Sequence, residues 1–217
     1  MYDPASPDSP HIGGAQPTWG NLPFASELVH AYWQNPDDDP ETVEDNLLQN
    51  TTQTTLGQVR NFLTKADVVD DDHRLLPNGI WLAEVYEEPD QTTLGDSESV
   101  QIGTKHDLAP AEQAVFKAVL FEKDWLPMLA TVNQLATESV SEKETDARAE
   151  GFQDRVEHLD KYQSVNKLNS WKKKAQTHYH WVQELDIAMV RDGQIQLTED
   201  GQTLYRQLIR HYHPDWP

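Results

Sequence analysis

Val182-Gln183-Glu184-Leu185-Asp186-Ile187-Ala188-Met189-Val190-Arg191-Asp192-Gly193-Gln194-Ile195-Gln196-Leu197-Thr198-Glu199-Asp200-Gly201 is the stretch whose reading decides the fold. Asp192-Gly193 favours a tight two-residue reversal, because both residues tolerate positive φ. The flanking residues 189–191 and 194–197 read as a two-stranded hairpin around it. Thr198-Glu199-Asp200-Gly201 then leads into a final helix with Leu204, Leu208 and Ile209 facing inward. Upstream, a long helix is predicted over 165–187. At 100° per residue, Leu168, Trp171, Ala175, His178, Val182 and Leu185 fall on one inward stripe.

The same plan occurs earlier in the chain. Helical periodicity begins near Leu22, with Phe24, Leu28, Val29 and Tyr32 apolar at helical spacing, and the turn 35–40 breaks it. Helices over 41–48 and 54–66 follow. Val68 and Val69, an acidic turn at 70–72 and an extended piece at 73–76 lead to Pro77-Asn78-Gly79 and a closing helix carrying Ile80, Trp81, Val85 and Tyr86. The helix ends of the two halves align at an offset of 119, and the segments 74–79 and 196–201 at 122. The second half adds helices over 109–123, with Ala111, Val115, Ala118 and Val119 inward, over 125–137, and over 141–162, the last highly charged and solvent-facing. Residues 1–20 read as a flexible arm, 21–88 as a first domain, 89–107 as a linker with a short strand at 100–102, and 108–217 as a second domain.

Helix, hairpin, Leu197-Thr198-Glu199-Asp200-Gly201, helix: this order resembles the winged-helix (winged helix-turn-helix) family. The first half departs from the pattern, with Leu76-Pro77 where Leu-Thr is usual. The resemblance implies a mainly α fold with short β-hairpin wings, arranged as two tandem winged-helix domains. Gly79 and Gly201 suit the point where the chain leaves the wing, a place that often needs positive φ.

The chain has 217 residues, with 37 acidic against 17 basic side chains and a net charge of −20. Seven Trp, seven Tyr and five Phe supply a core, so the acid does not signal disorder. Excess acid spread along a folded chain suits molar salt, where repulsion is screened within a few Å. This composition resembles that of haloarchaeal proteins. An acidic mimic of nucleic acid fits less well, because the charge has no compact block. There is no Cys, which excludes disulfides and thiolate metal sites. The start of the chain lacks the apolar core of a signal peptide, and no stretch approaches the roughly 20 apolar residues that span a bilayer. A cytoplasmic protein without membrane contact is expected.

The winged-helix resemblance implies binding of double-stranded DNA by the helix before the wing. An acidic chain needs a local gap in its acid for that. The longest acid-free stretch is 161–183 and the next is 46–66, and each contains one such helix. In the second half Asn166, Asn169, Lys173, Gln176, Thr177 and His180 face away from the apolar stripe, with Lys172 and Lys174 on its flanks. In the first half Thr54, Gln58, Asn61 and Lys65 face outward, with Arg60 on one flank. Amides read base edges and lysines mostly hold phosphates. Because counterion release weakens in high salt, the amides are expected to carry more of the specificity. Lys172–Lys174 equally suit pairing with acids around 142–150.

Chemistry is not expected. His178 and His180 lie two apart on a helix and face different ways, and His211 and His213 sit near the end of the chain. Asp70, Asp71, Asp72 and His73 lack the Gly and the closing Glu of an EF-hand loop. No acid stands two residues before a Lys, as a restriction-nuclease core requires, and there is no Walker loop or nucleophile elbow. No enzyme activity, metal or cofactor is expected. The leading expectation is a DNA-binding regulator or sequence reader. The alternative is a protein-interaction adaptor, architecturally similar to the kleisin-binding subunits of chromosome-condensing complexes, with Trp33, Trp81, Trp125 and Trp181 as candidates for an exposed groove. A homodimer, held by the helix over 141–162, would suit a palindromic site.

Overall fold

The computed structural model describes residues 21–47, 53–88, 107–159, 162, 165 and 167–212. The predicted arm at 1–20, most of the linker and its strand at 100–102, and Asn166 lie outside them. The fold is mainly helical, and among the described residues the named strands form one three-stranded antiparallel sheet. The chain divides into two compact units, one running to Val119 and the other from Leu120. The division falls inside a helix.

In the first unit α1 (Asn21–Gln34) buries Leu22, Phe24, Ala25, Leu28, Val29 and Tyr32, the face its periodicity predicts. Pro36 and the aspartates after it end the helix. Asp39 caps α2 (Pro40–Leu47), accepting the Glu41 N–H at 3.0 Å, with Pro40 in the first helical position where no donor is needed. In α3 (Gln53–Lys65) Leu56, Val59, Phe62 and Leu63 are buried. A single bridge, Val69 to Leu75, makes a rudimentary hairpin before α4 (Pro77–Glu84). His73 is not extended as expected. It holds φ +62° inside a turn in which the Asp70 carboxylate accepts the Asp72 and Arg74 N–H groups.

The helix α5 (Pro110–Lys123) crosses the division. Its inward residues in the first unit are Glu112, Val115, Phe116 and Val119, while Ala111 and Ala118 are exposed, against expectation. The reason is size. Turning Phe116 inward, where it stacks near Phe62 at 6.4 Å, buries far more area than two alanines. Glu112 follows it in, held by the Ser26 hydroxyl and by the Ala109 N–H at 2.8 Å.

In the second unit α6 (Trp125–Thr137) is buried continuously from Trp125 to Leu135. Around it lie β1 (Val140–Ser141), α7 (Thr145–Val156), α8 (Leu168–Glu184), β2 (Ala188–Arg191), β3 (Gln194–Leu197) and α9 (Glu199–Tyr212). The strand order is β1-β3-β2, with Val140 and Val190 both opposite Ile195. Asp192 and Gly193 take φ +53° and +73°, as a tight reversal requires. The charged helix predicted over 141–162 is the shorter α7, and the one predicted over 165–187 begins only at Leu168. The chain between them turns Leu159 and Tyr162 into the core. Since α7 buries Ala149, Phe152 and Val156 and packs chiefly on α8, the long free helix offered as the basis for a homodimer is not present.

The two units repeat one backbone device. Both α3 and α8 end on an aspartate in the left-handed region, Asp67 at φ +51° and Asp186 at φ +54°. In each the next N–H returns to a helical carbonyl, Val68 to Leu63 at 2.9 Å and Ile187 to Val182 at 2.8 Å. After the hairpin, Leu76 and Thr198 each donate back, at 3.0 Å, to the carbonyls of Val68 and Ile187. The closing helix then presses onto the same carbonyls. A Cβ on Gly79 would stand 2.2 Å from the Val68 oxygen, and one on Gly201 would stand 2.0 Å from the Ile187 oxygen. Neither glycine has the positive φ expected of it. Both are required by close approach instead.

Candidate nucleic-acid interface

Helix α8 owes its position to its apolar stripe. Trp171, Ala175, Tyr179 and Val182 are buried, and Phe152 of α7 stands between Tyr162, Trp171 and His178 in aromatic contact with each. His178 fixes the helix further. Its Nδ1 lies 2.8 Å from the Lys174 carbonyl, which can only accept, so Nδ1 carries the hydrogen. Its Nε2 lies 2.6 Å from the buried carboxyl of Asp124, at the start of α6.

The outward side is narrower than the sequence suggested. Asn169, Lys173 and Gln176 are exposed and lie at i, i+4 and i+7, a stripe about 10 Å long. Thr177 is buried and donates its hydroxyl to the Lys173 carbonyl at 3.0 Å. His180 is half-buried, and burial together with the nearby Arg148 guanidinium pushes it down to about 4, so it is uncharged near neutral pH. Lys172 is ion-paired with Asp146, which this hydrogen bond holds below the ordinary aspartate range. Lys174 lies over the Tyr162 ring, 5.0 Å from its centre. Leu168, expected inward, is 42% exposed at the first helical residue. Two exposed cations not singled out from the sequence flank the stripe along the chain: Lys167 just before α8, and Arg191 at the end of β2. Lys167 lies inside the acid-free run and was legible there. The place of Arg191 depends on the hairpin.

The corresponding helix of the first unit offers less. Arg60 is 3.2 Å from the buried carboxylate of Glu44, which also accepts the Tyr32 hydroxyl at 2.6 Å. Burial and that carboxylate push the Tyr32 phenol well above its usual range. Gln58 is half-buried, and Asn61 and Lys65 are exposed. Charge separates the units in the same direction. Residues 14–119 carry five basic and 19 acidic side chains, whereas those from Leu120 carry 12 and 16.

Among the described residues no cluster of three or more His, Asp or Glu is placed to hold a metal ion, and no helix is long and apolar enough to cross a membrane. Compared with protein-family models, curated proteins and solved structures, the chain matches none.

Proposed function

We propose that the second unit is a winged-helix reader of double-stranded DNA, with α8 as the helix that enters the major groove and β2–β3 as the wing. The observation that carries this reading is the exposed stripe Asn169–Lys173–Gln176, within the acid-free run 161–183 and on the helix immediately before the hairpin. Its length of about 10 Å matches three base steps of about 3.4 Å. In this arrangement Asn169 and Gln176 contact base edges, while Lys173 and Lys167 hold phosphates. The strand order β1-β3-β2 and the return of the Glu142 N–H to the Gly193 carbonyl at 3.0 Å support a braced hairpin beside α8. The first unit, with its paired Arg60 and its acid excess, contributes little affinity. The protein is thereby a regulator or sequence reader and not an enzyme.

Selection of bound duplexes from a random library in molar KCl tests this reading. The native chain is expected to enrich a motif of about three contiguous positions per copy. Asn169→Ala with Gln176→Ala is expected to blur that motif while leaving random-sequence affinity within about threefold. Enrichment that is unchanged in the double variant would remove α8 from the recognition surface.

A further inference from the structure

The closing helices α4 and α9 occupy the same place in the repeat, and their outward faces differ in kind. At the offset of 122, Pro77, Ile80, Trp81 and Glu84 of α4 correspond to Glu199, Gln202, Thr203 and Arg206 of α9. All eight are exposed. The α9 face is wholly polar, as solvent dictates for the outer side of a helix that covers a core. The α4 face presents Pro77, Ile80 at 37% and Trp81 at 46% exposure. The fold therefore does not require an apolar residue at these positions, since its own second copy does without one. Trp33, 42% exposed, adds a second uncovered indole on α1, the helix most extensively packed with α4. By contrast Trp125 and Trp181, expected as candidates for a groove, are core residues at 5% and 2%.

Acid follows these apolar groups along the chain. Glu84 continues the α4 stripe, exposed Glu87 and Glu88 follow it, and exposed Asp37, Asp38 and Asp39 follow Trp33. Large apolar side chains left in water beside carboxylates mark a contact surface for a complement of opposite charge. A polyanion is excluded by repulsion.

We propose that the outer face of α4 is a docking surface for a basic, amphipathic segment of a protein partner, whose apolar side chains cover Ile80 and Trp81 while its Lys or Arg residues meet Glu84, Glu87 and Glu88. This surface is independent of the DNA reading, which rests on α8.

The probe is a fluorescein-labelled 18-residue peptide of Leu and Lys with Leu at helical i, i+3, i+4, i+7 spacing. Its anisotropy is titrated with the whole chain at 0.15 M and 1 M KCl. Controls are a scrambled peptide of the same composition and an analogue with Glu in place of Lys. The native chain is expected to bind the patterned peptide and neither control. Ile80→Gln with Trp81→Gln is expected to weaken binding at least tenfold with an unchanged circular-dichroism melt, since both side chains stand outside the core. Glu84→Lys with Glu88→Lys, which spares the apolar groups, is expected to weaken it severalfold at 0.15 M and less at 1 M, where charge is screened over about 3 Å. The proposal is overturned by absent binding, by equal binding of the scrambled peptide, or by an unaffected Ile80/Trp81 variant. A dimer in sedimentation velocity that the Ile80/Trp81 variant dissolves would also overturn it, by making a second copy the occupant.

Discussion

Two regions built on one plan, α3 to α4 and α8 to α9, agree at the backbone and diverge at the surface. Both end their first helix on a left-handed aspartate, both return the same N–H groups to the same carbonyls, and both admit only glycine where the closing helix lands. Outside that frame, one hairpin is a single bridge and the other a four-residue ladder. One closing helix shows Ile80 and Trp81 to water, and its counterpart shows Gln202 and Thr203. The difference teaches that the repeat specifies geometry alone. What each unit offers a partner is written in the residues that the frame leaves free.

The largest expected effect tests the shared frame. Gly201→Ala and Gly79→Ala each force a methyl onto a backbone carbonyl and should destabilise their own unit by about 3 kcal/mol. Urea melts followed by hydrogen exchange would assign the loss to one unit in each variant. A loss under about 1 kcal/mol at either glycine would mean that the closing helix is not held against that carbonyl.

A smaller effect should separate the halves. Thr198 accepts the Gly201 N–H at 3.0 Å and donates its hydroxyl to the Asp186 carbonyl at 2.8 Å, whereas Leu76 at the same place makes no side-chain cap. Thr198→Ala should cost about 1 kcal/mol through loss of the cap. At Leu76 a change to Ala should act only through packing, leaving amide exchange at Gly79 relative to its neighbours unchanged.

A third contrast depends on pH. Asn61 stands where the second unit has His180. As pH falls, an unfolded chain protonates His180 near 6.5, while the folded chain does so only near 4. The folded state therefore keeps this contribution above about pH 6.5 and loses it progressively between 6.5 and 4. For a half-buried group, solvent screening reduces the loss to roughly 1 kcal/mol. His180→Gln should flatten the stability profile in that window by this amount, and a parallel profile would show that the imidazole is hydrated in the folded state.

Much of the frame was legible in the sequence, because helix ends, an Asp-Gly reversal and paired glycines are local signals. The offsets of 119 and 122 found there are those at which the backbone hydrogen bonds repeat. The reason for the glycines was not legible, since close approach of α9 to Ile187 is a tertiary fact. The same holds on α8. Asn169, Lys173 and Gln176 are exposed as helical geometry predicted. Lys172 pairs with Asp146, one of the acids around 142–150 that the sequence offered it, whereas His180 was read as outward because α7, which supplies Arg148 beside it, was predicted to be solvent-facing. Phe116 and Glu112 were missed on α5 for a related reason. Spacing alone ranked Ala111 and Ala118 without regard to side-chain size, and the burial of a carboxylate leaves no apolar signal.

The central claim is that nucleic-acid recognition belongs to the second unit and not the first, although each has a helix in the same place. Lys173→Glu and Lys65→Glu place the same charge reversal on the exposed sides of α8 and α3. The direct test is duplex-DNA anisotropy in molar KCl for the native chain and both variants. The account predicts a loss of about tenfold or more for Lys173→Glu and no change beyond about twofold for Lys65→Glu. Equal losses, or no binding by the native chain at any salt, would contradict it.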